Sequence, residues 1–266
     1  IRRLVEQKHE VHVAYQTSGN IAVGDEEVVR FMHFINGFNQ IFINSEDQVI
    51  SEKYAEIRKF LKDKKDGDMD TRDILTIKGL IRRGEARTAC TYNNIPLERC
   101  HFLDLPFYET GKIQKNPISE ADVEIVRNLL REVKPHQIFV AGDLADPHGT
   151  HRVCTDAVFA AVDLEKEEGA EWLKDCRIWM YRGAWAEWEI ENIEMAVPIS
   201  PEELRAKRNS ILKHQSQMES APFLGNDERL FWQRSEDRNR GTAALYDNLG
   251  LASYEAMEAF VEYIPL

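Results

Sequence analysis

No run in this chain approaches the roughly 20 consecutive apolar residues that a membrane-spanning helix needs. No G-x-G-x-x-G follows a strand-like run, so the usual dinucleotide-binding fingerprint is missing. Cysteine is scarce: Cys90, Cys100, Cys154 and Cys176 are the only four, and they form no C-x-x-C pair. Each falls in a helix-like or strand-like segment and reads as a free thiol in a reducing compartment. With no signal-peptide pattern either, the cytoplasm is the expected location. Basic residues are in deficit, 34 against 46 acidic ones, for a formal net charge of -12. Such a surface repels phosphate backbones and anionic lipid, which argues against nucleic acid or a membrane as partner. A local basic pocket for a phosphate or sugar acid stays compatible with that charge.

What is present is an ordinary globular composition, 43% hydrophobic over 266 residues. Residues 10–16 read as a strand and 24–36 and 51–64 as helices. Residues 70–93 read as one long helix, in which Ile74, Ile77 and Ile81 keep 3–4 spacing. A short buried strand over 101–105 stops at Pro106. Ser119 caps the next helix, and a strand follows over 136–141. Residues 177–181 and 193–197 read as strands. Ser200-Pro201-Glu202-Glu203 is a strong helix start. Helices over 226–238 and 253–262 close the chain. The aromatic group Trp179, Tyr181, Trp185 and Trp188 reads as core packing more than as a sugar-stacking wall. Arg229, Arg234, Arg238 and Arg240 with Glu228, Glu236 and Asp237 read as a solvated helix face. Strands alternating with helices predict a Rossmann-like α/β three-layer sandwich with a mostly parallel sheet and helices on both faces. No repeat, linker or low-complexity tract divides residues 1–266, which read as a single domain. The chain opens at Ile1 as if in mid-helix, so a segment is expected upstream.

The most informative stretch is Asp146-Pro147-His148-Gly149-Thr150-His151. Its two histidines sit three residues apart, after a strand and before a helix for which Thr150 is the expected cap. Open α/β sheets place ligand crevices at the carboxyl ends of strands. By itself H-x-x-H is weak, because zinc needs three protein ligands for catalysis. A pair of solvated or capping histidines satisfies the spacing equally well.

Taken together, these segments resemble the LmbE/PIG-L family of zinc-dependent deacetylases of N-acetylglucosamine groups. The resemblance covers nearly the whole chain. Arg82-Arg83-Gly84-Glu85-Ala86 matches its helix-borne R-x-x-E, residues 102–106 its short L-x-x-P strand, and 146–151 its H-x-D-H loop. Residues 254–260 resemble its closing helix. Runs such as LIRRGEA and HFLDLPFYE are similar to the deacetylase-like domain fused to a glucosamine-6-phosphate deaminase-like domain in some bacterial proteins. The run HEVHVAYQTSGNIAV over residues 9–23 is similar too, and Lys8 stands where glycine precedes that run in those proteins.

The resemblance implies zinc, an N-acetylated amino-sugar substrate and a covalently fused upstream deaminase-like domain; a homo-oligomer is compatible with it. It makes His151 a metal ligand and His148 a catalytic group at the oxyanion or the leaving amine. The family aspartate that orients the first histidine is replaced by Thr150, leaving Asp146 or Asp143 to act in its place. Arg82, Glu85 and Asp104 are the expected substrate-binding residues, with a surface ion pair the alternative for Arg82 and Glu85. The family's P-H-P-D-D-[ED] run, which supplies two further zinc ligands and the general base, does not occur in these 266 residues. The expected sheet therefore lacks its first strand, with a gap beside residues 10–16, and this chain alone is expected to hold zinc weakly or not at all. A non-catalytic sugar-binding or interaction module is the alternative function.

Overall fold

A computed structural model describes residues 1–43, 49–112, 114–142, 149–183, 187–218 and 229–264. In chain order they form α1 (Arg2–Glu6), β1 (Val13–Tyr15), α2 (Asp25–Phe38), α3 (Val49–Asp63), α4 (Arg72–Tyr92), β2 (Cys100–Phe102) and α5 (Glu120–Val133). There follow β3 (Gln137–Ala141), α6 (Thr150–Glu167), β4 (Arg177–Tyr181), β5 (Met195–Ile199), α7 (Pro201–Ile211), α8 (Phe231–Asn248) and β6 (Ala256–Tyr263). Among the described residues, no helix is long and apolar enough to cross a membrane.

Local chemistry sets the boundaries. The Thr71 hydroxyl accepts from the Ile74 amide at the start of α4. Ser119 with Asp122, and Ser200 with Glu203, form reciprocal capping boxes. At α6 the cap is Gly149, one residue before the expected Thr150, which is already helical. Along α4, Ile74, Ile81, Ala86, Ala89 and Cys90 are buried on one side. Lys78, 4% exposed, is satisfied there by Asp25 and Asp70, each at 2.7 Å, which fastens α4 to the start of α2. Val126 and Leu130 of α5 pack with Ala157, Val158, Ala161 and Val162 of α6 and with Val140 and Ile178 of β3 and β4.

The chain is α/β, but the single, mostly parallel sheet is not what forms. β1 and β2 make a parallel two-stranded sheet in which Ala14 faces His101. The other four strands make a mixed sheet in the order β3-β4-β6-β5, where β3 and β4 are parallel and β6 is antiparallel to both its neighbours. The cause is the C-terminal segment, expected as a helix over 253–262. Its alanines, methionine and glutamates favour helix locally, yet pairing with β4 and β5 on either side makes it a central strand with Ala256, Met257, Ala259 and Phe260 buried.

One further expectation is corrected in part. Of the charged residues on and just before α8, Arg229, Asp237 and Arg240 are exposed as a solvated face requires, whereas Glu236 is buried, as are Ser235, Asn239 and Thr242 beside it. Glu236 is held by both Arg208 guanidinium nitrogens at 2.6 and 2.7 Å, and Arg238 donates to the Arg182 carbonyl. Among the described residues β1 pairs only with β2, and β3 only with β4. The two sheets thus each leave an edge without a strand partner.

Candidate active site

A cavity of about 270 Å³ opens where these edges approach, lined by Ala14 and Tyr15 of β1, by Phe139, Val140 and Ala141 of β3, and by side chains from α4 and α6. Two glycines make room around it. Gly19, with φ 66°, lets the loop after β1 lie against Arg82; a Cβ there would sit 3.0 Å from the guanidinium Nε. Gly142, at the end of β3, sits under Trp188, whose ring carbon would lie 2.7 Å from a Cβ. Trp188 itself donates to the Met180 carbonyl, so this aromatic packs structurally, and Trp179 is likewise buried. Tyr181 does line the cavity, whereas Trp185 lies outside the described residues.

Arg82 lines the cavity, and Glu85 lies one helical turn further along α4. The pair is not a surface one, because Glu85 is 9% exposed. Its Oε2 accepts from Arg82 Nη1 at 2.9 Å and from the Ser216 hydroxyl at 2.8 Å, while its Oε1 accepts from the Ser216 amide at 2.6 Å. Glu85 thus fixes the guanidinium from behind and binds a distant segment at the same time. Arg83 also lines the cavity; it pairs with Asp104 and lies over the Phe102 ring. Asp104 therefore stands behind Arg83 rather than on the cavity wall.

His151, on the first turn of α6, lines the cavity and is exposed there. One turn on, the buried Thr155 hydroxyl donates to the Ala141 carbonyl and ties α6 to the end of β3. Arg82 and His151 are thereby brought to one cavity. The other two expected catalytic residues, Asp146 and His148, lie outside the described residues. Among the described residues no three His, Cys, Asp or Glu side chains converge to hold a metal ion. The described donor set therefore falls short of the three protein ligands of a catalytic zinc.

His214 is a wall residue that the sequence did not single out. It lies just past α7, and nothing in its neighbours marks it. Burial first, and then the nearby Arg82 charge, push its imidazole down to about 4, so the ring is neutral at pH 7. Cys154 lines the cavity. Cys90 and Cys100, outside the lining, form no disulfide, and their sulfurs are 3.6 Å apart. Burial pushes the Cys100 thiol up to about 12.

A family model described as GlcNAc-PI de-N-acetylase (PIG-L) matches residues 1–162. A Bacteroides thetaiotaomicron protein, named as glucosamine-6-phosphate deaminase-like, is 95% identical over all 266 residues. The chain spans 40% of that relative's length. Among solved structures, the hydratase GalB for 4-carboxy-2-hydroxymuconate, from Pseudomonas putida KT2440, superposes with TM-score 0.50 at 14% identity over 95% of both chains. The N,N'-diacetylchitobiose deacetylase of Pyrococcus horikoshii gives TM-score 0.48 at 16% identity, over 75% of this chain and 69% of that one.

Proposed function

We propose, from the premise that this chain belongs to the GlcNAc-PI de-N-acetylase (PIG-L) family, that its cavity binds an N-acetylated amino sugar and works in hydrolysing the amide. The observation that carries the reading is the Arg82–Glu85 pair on the cavity wall. A guanidinium held by a buried carboxylate keeps further donors in a fixed direction, which suits a sugar hydroxyl or an acyl oxygen. The cavity volume, close to the low end of the ~300–1,000 Å³ of small-ligand clefts, suits one sugar unit. His148 would then act on the developing oxyanion or protonate the leaving amine, with Asp146 orienting it. Asp104 would act through Arg83. Zinc enters this reading through His151, with the remaining donors supplied from outside the described residues. The fold by itself leaves the chemistry open, since the similarly folded GalB is a hydratase. In the longer polypeptide of which such a chain forms 40%, the freed amino sugar would be available to the deaminase-like remainder.

The test is kinetics on the full-length Bacteroides relative, numbered as here. With N-acetylated sugars, His151→Ala is expected to lower bound zinc and acetate release together. His148→Ala should keep the metal and slow turnover by roughly 10²–10⁴-fold, and Arg82→Ala should chiefly raise KM. A full-length protein that releases acetate from no N-acetylated sugar would make the cavity a non-catalytic sugar-binding module instead.

A further inference from the structure

One cavity-lining residue, His214, belongs to the segment 212–218, beyond the family match that ends at residue 162. This segment is strapped down at several points. The Ser216 amide and hydroxyl both donate to Glu85, at 2.6 and 2.8 Å. Arg82 Nη1 reaches the Ser216 hydroxyl at 3.4 Å. The Gln217 side-chain Nε2 donates to the Ala22 carbonyl at 2.9 Å. Within the strap, the His214 and Met218 amides close turns onto Ile211 and Gln215. A side chain at position 214 is therefore held in place before any ligand arrives, and little ordering entropy is left to lose on binding.

The His214 ring is half-buried, and its Nδ1 is sealed from solvent without a hydrogen-bond partner in the described structure. A sealed N–H with no acceptor costs more than a sealed lone pair, so the single proton of the neutral ring belongs on Nε2. His214 lines the cavity, so Nε2–H is the donor this ring has to offer a ligand there. Arg82, on the same wall, offers donors too. Its charge is matched by Glu85, as that of Arg83 is by Asp104. Two donors lining one cavity, beside paired rather than free charges, favour a neutral acceptor oxygen over a dianion.

We propose that His214, delivered by the strap over 212–218, is a ligand-recognising residue that pairs with Arg82 to hold a neutral acceptor oxygen, the acyl or hydroxyl oxygen of an amino sugar. The sugar class rests on the reading of the previous subsection; the donor pair rests on the strap and the ring geometry.

The experiment is long-range ¹H–¹⁵N correlation of the His214 ring in the 266-residue chain at pH 7.5, titrated with N-acetylglucosamine, N-acetylglucosamine 6-phosphate and acetate, beside calorimetric affinities. The expected free ring is the Nε2–H tautomer. N-acetylglucosamine should shift the Nε2 resonance and bind at least as tightly as its 6-phosphate. His214→Phe, which keeps the ring shape without the donor, should weaken that binding about tenfold, the ~1.4 kcal/mol of one lost hydrogen bond. His214→Gln, which restores a donor, should recover most of it, and melting temperatures of both variants guard against simple unfolding. A response of His214 to acetate but not to either sugar would retire the amino-sugar reading and keep the donor pair. An Nδ1–H tautomer, or sugar binding that leaves His214 unshifted and survives His214→Phe, would overturn the proposal while leaving the family function standing. Tighter binding of the 6-phosphate would overturn the choice of a neutral ligand.

Discussion

Lys8 follows α1 in a left-handed conformation, φ 70°, with its amide on the Val5 carbonyl and that of His9 on the Leu4 carbonyl. This is a helix-terminating geometry in which a side chain costs roughly 1–2 kcal/mol and glycine costs less. Lys8→Gly is expected to raise the unfolding free energy by about 0.5–1 kcal/mol in urea titrations, after the extra chain entropy of glycine is deducted; a lower midpoint would show that the lysine side chain supplies a contact worth more than the strain. The same scale gives a pH signature. His214 titrates near 4 when folded and near 6.5 in an open chain. Between those values the unfolded chain holds a proton that the folded chain does not, so stability present above pH 6.5 is lost as pH falls toward 4. Melts between pH 7 and 4.5 should show a shallower loss for His214→Gln. Arg82, Glu85 and His151 were marked in the sequence because their spacing is local, one turn along a helix or one step past a strand. His214 was not, because its environment is assembled from α4, the loop after β1 and its own strap, which only the tertiary fold brings together.

Elements with a strong periodic pattern were equally legible: α4, α5, β3 and β4 lie where the apolar spacing and caps place them. The failures share a cause. β6 carries a helix-favouring composition, and only its neighbours β4 and β5 make it a strand. The charges of α8 read as solvated because their partners lie on other elements, Glu236 with Arg208 on α7 and Arg238 with Glu187. That difference can be measured. Arg208→Ala leaves the 7%-exposed Glu236 side chain without its guanidinium and is expected to cost about 2–3 kcal/mol. Lys174→Ala, which breaks an exposed pair with Glu171, should cost under about 0.5 kcal/mol. Equal effects would return α8 to the solvated reading. Glu85→Ala removes both acceptors of Ser216. It should cost about 2–3 kcal/mol and speed proteolytic cleavage within 212–218; an unchanged cleavage rate would mean the strap is held without Glu85.

For the whole molecule, the formal charge of -12 sets up a self-repulsion that salt screens. The melting temperature should rise between about 10 and 200 mM sodium chloride, where the screening length shrinks from roughly 30 Å to under 10 Å. A fall would mean that paired groups such as Lys78 with Asp25 and Asp70 outweigh the net repulsion. The alternation of strand-like and helix-like segments foretold the α/β class but not the division into two sheets, because a sheet boundary depends on which edges meet rather than on any one strand. The cavity sits at that boundary, and His214 reaches it from a stretch whose side chains are fastened at Ser216 and Gln217. Such a stretch is an exchangeable cassette. Its central residue can be swapped by evolution or by design while both fastenings, and the helices they grip, stay untouched, so a new preference can be tried without first breaking the scaffold.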